Sequence, residues 1–328
     1  MQVPTSWRVP LRALRYRDYR LYFVGQLCSL CGTWMQSVAL SWLVYRLTGS
    51  TTLLGLVAFA SQAPFIPLAY AGGLVADRFR RRHILLVTQS AAMALALMMA
   101  LLTLTGYIRV WHIFTLAISL GVVNAFDVPA RQCFLVDLVG KDDLLNALAL
   151  NSILFNTARV IAPTLAGILI SRVGEGWCFV GNTASFAAVI IALLLMTSPS
   201  SRAAKPESTT LTTLGEGLRF AYRANLVRAL LLLTAIASLV GLPYTVFLPV
   251  FANQFLKGGS TSLGLLVSAA GVGAFAGALL LTTRQKVQKP ERWVTLAVIG
   301  FGSGLILLSL SRSLGLSLGV LSLIGLSS

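Results

Sequence analysis

Apolar runs near 21–45, 53–76, 84–105, 111–130, 147–171, 177–197, 229–251, 263–283 and 293–310 follow one another, separated by short polar loops, and a further run covers 314–328. Each full run has about the twenty residues that a helix needs to cross roughly 30 Å of hydrocarbon. Backbone polar groups have no water to bond there, so runs of this kind fold as helices that satisfy themselves. Charged residues are 11% of the chain and hydrophobic ones 56%, whereas a soluble domain carries about 25% charged residues. The expected class is an all-α polytopic membrane protein.

The net charge of +16 would suit a nucleic-acid binder if the bases shared one face. They sit instead in the loops, which excludes nucleic acid as a partner. Twenty Lys and Arg fall in the N-terminal segment and alternate loops: five up to Arg20, then Arg78, Arg80, Arg81, Arg82, Arg131, Lys141, five in the long linker and four near Arg284–Arg292. The opposite loops hold five, and Arg159 alone lies within a run. This bias puts the N-terminus in the cytoplasm of a cell with a cytoplasmic (inner) membrane.

Six runs precede the longest linker. Residues 1–197 are therefore expected to form an N-terminal six-helix bundle, 198–228 a cytoplasmic linker, and 229–328 a partial second bundle of about three and a half spans. In the linker Leu211, Leu214, Leu218 and Tyr222 recur at helical spacing, with Glu216, Arg219 and Arg223 on the other face. That pattern predicts an amphipathic helix lying in the membrane interface. The final run of fifteen residues reaches only about 22 Å as helix, so the second bundle reads as incomplete, as in a fragment.

Between the second and third runs the sequence is Gly72-Gly73-Leu74-Val75-Ala76-Asp77-Arg78-Phe79-Arg80-Arg81-Arg82-His83. It resembles the loop signature G-x-x-x-D-R-x-G-R-[RK] of major facilitator transporters, with Gly73, Asp77, Arg78, Arg81 and Arg82 matching and Arg80 where glycine is usual. The resemblance implies a fold of two six-helix bundles, here with the second incomplete. In that family the acid contacts the neighbouring half and helps hold the outward-facing side closed, a role implied for Asp77. The corresponding stretch Leu281–Lys286 is basic but lacks the pattern. Residues from Asn124-Ala125-Phe126-Asp127-Val128-Pro129-Ala130-Arg131 to Asn156-Thr157-Ala158-Arg159 resemble the branch of this family that holds the enterobactin exporter and the macrolide efflux pumps. Ala162 precedes Pro163 where many antiporters carry glycine, so the fifth-span antiporter signature is partial.

Ionisable groups within a bilayer are expensive and need a partner or a task. Asp127 and Arg131 stand four residues apart in the inner half of the fourth run, and Arg159 lies near the middle of the fifth. Asp127 is either a proton-responsive carboxylate tuned by Arg131 and Arg159, or half of a static ion pair with one of them. Gln26, Trp34, Gln36, Gln62, Asn151, Phe155 and Asn156 are candidates to line a cavity, or else to bond between helices. Pro163 and Pro243 are expected to bend their helices.

Other chemistry finds no support. No G-x-x-x-x-G-K-[ST] phosphate loop is present, and His83 and His112 are the only histidines. Cys28 and Cys31 form a C-x-x-C inside an apolar run, with no second pair to complete a metal site. The expectation is a monomeric transporter without enzymatic activity, cofactor or metal, whose partners are the bilayer, a small-molecule substrate and protons. Proton-coupled efflux of drugs or siderophores is the leading direction, with an uptake porter or facilitator as the alternative.

Overall fold

The computed structural model describes residues 12–197, 228, 243–282 and 290–327. A short 3-10 turn at Arg12–Arg15 leads into α1 (Arg17–Thr48), followed by α2 (Thr51–Gln62), α3 (Phe65–Arg78), α4 (Arg81–Leu104), α5 (Val110–Val139), α6 (Leu144–Val173) and α7 (Gly176–Leu195). The later helices are α8 (Pro243–Val250), continued by a π-helical turn at Phe251–Phe255, then α9 (Gly259–Thr282), α10 (Pro290–Leu310) and α11 (Leu314–Leu326).

Local chemistry sets several boundaries. Gly49 ends α1 in the left-handed region, φ 62°, and its N–H returns to the Tyr45 carbonyl, as a C-terminal glycine commonly does. Ser50 then caps α2 by accepting from the Leu53 N–H at 3.3 Å. Pro64 has no N–H to give and interrupts the second span, so α2 and α3 are two helices in one crossing from Thr51 to Arg78. Pro129 and Pro163, by contrast, lie within the continuous helices α5 and α6. Pro243 opens the described part of α8, and what precedes it lies outside the described residues.

Seven described spans are long and apolar enough to cross a membrane: α1, α2 with α3, α4, α5, α6, α7 and α9. The apolar parts of α10 and α11 are shorter. Large apolar side chains such as Phe59, Ile66, Val87, Leu194 and Leu310 are exposed around the molecule, which suits contact with lipid rather than water. The interfacial helix expected over 198–228 lies outside the described residues apart from Arg228, as does most of the run expected over 229–251.

One boundary needs correcting. The fourth run was expected to end near 130, with Arg131 in the following loop, yet α5 continues to Val139. Arg131, Gln132 and Asp137 interrupt its last ten residues in sequence, but Arg131 and Asp137 both have partners inside the protein. Asp127 is therefore joined by a second acid in this helix, Asp137.

Helix α1 packs along α6 and α7, α4 lies between α5 and α7, and α2 and α3 both lean on α5. These elements form the first set. In the second, α9 packs along α11, and α10 along α11. The sets meet mainly where α9 runs along α6, with α8 reaching α1 and α2. At that crossing Gly167 faces Ser260, Thr261 and Gly264, and the Gly264 Cα sits against Gly167 and the Pro163 carbonyl. Two backbones approach this closely only where side chains are missing. Thr164 Oγ1 donates to Ser268 Oγ at 2.8 Å, the Thr164 N–H reaches the same oxygen at 3.1 Å, and Ser260 Oγ donates to the Gly167 carbonyl at 3.2 Å. The seam is therefore both tight and hydrogen-bonded.

Candidate functional site

Between the two sets lies a cavity of about 440 Å³. Its walls come from α1, α2 and α6 on one side and from α8 and α9 on the other. Most of its lining is apolar, including Leu54, Val57, Leu248 and Leu263, with hydroxyls from Ser37, Ser41, Ser61 and Thr245. Among the described residues the one charged group in the wall is Arg159. It lies midway along α6, and its guanidinium carbon is 5.9 Å from the centre of the Trp34 ring. Trp34 meets Phe155 edge-on, with ring centroids 5.7 Å apart. Three of the sequence candidates, Trp34, Phe155 and Arg159, thus converge on one wall.

The other cavity candidates lie elsewhere. Gln26 and Gln36 are buried between helices, and the Gln36 side-chain oxygen accepts from Asn182 Nδ2 at 2.7 Å. Asn182 also accepts from Ser185 Oγ at 2.9 Å, so α1 and α7 share a buried polar ladder. Gln62 is exposed, Asn156 Nδ2 donates to the Ser152 carbonyl one turn back on α6, and Asn151 is half-buried outside the cavity wall. Of these residues Gln36 fits the alternative of bonding between helices, since a polar side chain at a helix interface is satisfied by whatever faces it, whereas Asn156 bonds within its own helix.

Asp127 forms a separate centre. It is almost wholly buried, at 1% exposure. One carboxylate oxygen accepts from Thr88 Oγ1 at 2.7 Å and Gln89 Nε2 at 2.8 Å, both on α4, and the other is paired with Arg131 one turn along α5. The pairing with Arg159 raised by the sequence does not form, because Arg159 stands over Trp34 in the cavity. Thr88 and Gln89 were missed, since nothing in an apolar run of α4 marks which turn faces a buried acid. Gln89 Oε1 and Arg131 Nε find no hydrogen-bond partner among the described residues, so the network retains spare capacity.

The signature loop is shorter than its sequence suggests: only Phe79 and Arg80 separate α3 from α4. Arg81 turns inward, paired with Asp137 at 2.7 Å and directed at the Ala76 and Cys133 carbonyls, both at 3.4 Å. Arg82 donates to the Leu194 carbonyl at the end of α7, 3.1 Å away. Arginines thus sit on the carbonyl ends of α3 and α7, where the helix dipole favours a positive charge. Asp77 and Arg78 are exposed, and Asp77 makes no ion pair with a described residue. The glycine that packs is Gly72, whose missing side chain admits the Ala125 carbonyl of α5, while the space beside Gly73 is open.

Two further acids went unremarked in the sequence. Asp143, 2% exposed, receives Arg15 at 2.7 Å, the Tyr16 hydroxyl at 2.9 Å and Arg12 at 3.2 Å, tying the N-terminal turn to the start of α6. Glu175 pairs with Arg46 at 2.7 Å at the other end of the molecule. Both sit in loops, where a lone acid gives no sign of its partner.

The chain resembles known transporters throughout its length. The staphyloferrin A transporter of Staphylococcus aureus is 24% identical over 265 residues, which is 80% of this chain and 66% of that protein. The enterobactin exporter EntS of Shigella boydii is 25% identical over 297 residues, or 90% of this chain and 70% of that one. The chain therefore spans about two thirds of the length of these relatives. Among solved structures, a bacterial homologue of the human lysosomal transporter Spinster, in an inward-facing and unoccupied conformation, superposes with a TM-score of 0.68 at 15% identity, covering 98% of this chain and 73% of that one. The nucleoside transporter NupG superposes with a TM-score of 0.69 at 16% identity, covering 95% and 78%. These two likenesses concern the fold alone. The model of the transmembrane secretion effector family matches residues 8–327, and with the fold described above the chain belongs to that family of the major facilitator superfamily.

Proposed function

We propose that the protein is a secondary active transporter of the inner membrane that moves small amphipathic molecules out of the cell in exchange for protons. What carries this is the position of the cavity. About 440 Å³ is the size of a small-molecule site. Its walls are divided between two helix sets that meet at a glycine seam, so rocking one set against the other would expose the same space to each side in turn. The family match supports transport, and the enterobactin exporter among the relatives supports the outward direction. The charge bias supports a cytoplasmic N-terminus.

Asp127 is the proposed proton-responsive group. Its charge is compensated by three donors from two helices. If the transition between conformations also loosens α4 against α5 within the first set, the carboxylate loses that compensation, and taking up a proton becomes its cheapest remedy in a low-dielectric interior. Asp77, exposed in the last turn of α3, is the proposed contact to the second half in another conformation.

Inverted membrane vesicles holding the full chain test this directly, with 8-anilinonaphthalene-1-sulfonate as the fluorescent probe. An interior-acid gradient is expected to drive its accumulation, and a protonophore to abolish it. Accumulation that ignores the protonophore would remove proton coupling. Gradient-driven accumulation only in right-side-out vesicles would replace export with uptake.

A further inference from the structure

We propose that the cavity selects anions: its ligand is a flat, largely apolar molecule carrying a carboxylate or another oxyanion, held by the Arg159 guanidinium beside Trp34 and Phe155. This rests on the transport function proposed above and adds the charge that the substrate must bear.

Arg159 lies fifteen residues from the start of α6 and fourteen from its end. At about 1.5 Å per residue, both ends are some 20 Å away, too far for the side chain to reach water at the membrane boundary. A cation at this depth needs a counter-charge or a polar cavity. The buried acids near other bases are already engaged: Asp127 with Arg131, Asp137 with Arg81, Asp143 with Arg12 and Arg15, Glu175 with Arg46. Asp18 sits at the far end of α1, where it accepts from the Thr197 N–H. No carboxylate among the described residues lines the cavity or pairs with Arg159. The Trp34 ring face offsets part of the cost and leaves the positive charge in place.

The rest of the wall agrees with an anionic ligand. Ser41 Oγ donates to the Val38 carbonyl at 2.9 Å and Ser61 Oγ to the Ala58 carbonyl at 2.8 Å. Their protons are turned back on their own helices, so among the described residues Arg159 is the charged donor in the wall, while these oxygens remain acceptors for ligand hydroxyls. The apolar surface and the edge-on pair of Trp34 and Phe155 suit a flat body. In such a medium Coulomb forces act with little screening, so a carboxylate is drawn to Arg159 and an amine of the same shape is repelled.

The backbone carrying Arg159 is also held in place. Pro163 has no N–H to bond the Arg159 carbonyl, and Gly271 of α9 lies against that same carbonyl. The anion-binding side chain is therefore rooted at the contact between the two helix sets.

Equilibrium binding to the full chain in lipid nanodiscs, with no gradient present, separates this from the transport proposal. The probes are 1-naphthoate, the neutral 1-naphthamide and 1-naphthyltrimethylammonium. Naphthoate is expected to bind about tenfold or more tighter than the cation, with the amide between them. Arg159→Gln is expected to remove that preference while leaving naphthamide binding within about twofold, and Arg159→Lys to restore part of it. Should Arg159→Gln fail to fold, the three-probe ranking on the unaltered protein still decides. Equal or tighter binding of the cation overturns the proposal, as does a naphthoate affinity indifferent to Arg159→Gln or undetectable binding of all three probes. Anion-selective binding without gradient-driven accumulation would keep this site and remove the transport mechanism.

Discussion

Asp127 and Arg131 form an ion pair within α5, one helical turn apart, and α4 completes it by donating from Thr88 and Gln89 to the other carboxylate oxygen. The charge pair therefore belongs to the α4–α5 contact as well as to its own helix. A static clasp and a proton-responsive group make different demands on this arrangement. A clasp tolerates any substitution that keeps the helices together, whereas coupling requires a carboxylate that gains and loses its charge.

Asp127→Asn should retain the hydrogen bonds from α4 while removing the titratable group. Proton-driven accumulation in inverted vesicles is expected to fall to background, with equilibrium naphthoate binding within about threefold of the parent. Asp127→Ala is a harsher change: it strands Arg131 and should cost about 3 kcal/mol of stability, read as a fall in thermal midpoint in detergent. Unchanged gradient-driven transport by Asp127→Asn would refute the coupling role.

The two adjacent glycines of the signature loop should respond differently. A methyl group at Gly72 would run into the Ala125 carbonyl and approach Pro129, a backbone obstacle that cannot move aside cheaply. Gly72→Ala is expected to cost about 1–3 kcal/mol, while Gly73→Ala, facing open space, should leave the thermal midpoint within error. Equal midpoints for the two variants would contradict the α3–α5 packing.

At the seam between the helix sets, Gly264→Val should force α9 away from the Pro163 carbonyl and from Gly167. Both stability and transport are expected to drop. Gly302→Ala in α10, with nothing nearby to meet the added carbon, serves as the control. A cysteine pair at Thr164 and Ser268 offers a second readout, since their side chains hydrogen-bond at 2.8 Å. Cross-linking there should arrest transport if the seam opens during the cycle, and active cross-linked protein would show that it stays shut.

Asn182→Leu removes the donor to Gln36 and the acceptor for Ser185 at a fully buried site. Leaving Gln36 unpaired between α1 and α7 is expected to cost about 1–3 kcal/mol. The double change Gln36→Leu with Asn182→Leu should recover part of that loss, because no polar atom of the pair then remains stranded. A double variant less stable than either single one would argue against the ladder.

Much of this molecule was open to inference from its order of residues alone. The length of the apolar runs, together with the ban on unsatisfied backbone in hydrocarbon, dictates helices at 17–48, 81–104, 144–173 and 176–195 within a few residues. The prominence of Trp34, Phe155 and Arg159 was likewise visible, because aromatic and charged residues deep in a span have few mundane explanations. Where α5 ends was not visible: charged residues interrupting an apolar run read as a loop until their partners are known, and those of Arg131 and Asp137 lie one turn back on α5 and on α4. Sequence also favoured Gly73 over Gly72, since a pattern match records identity and says nothing about which face of α3 meets α5. Above all, sequence left Asp127 with two possible basic partners. Only the packing of helices distant in the chain assigns Arg131 to the carboxylate and leaves Arg159 to the cavity, because electrostatic pairing depends on distance in space.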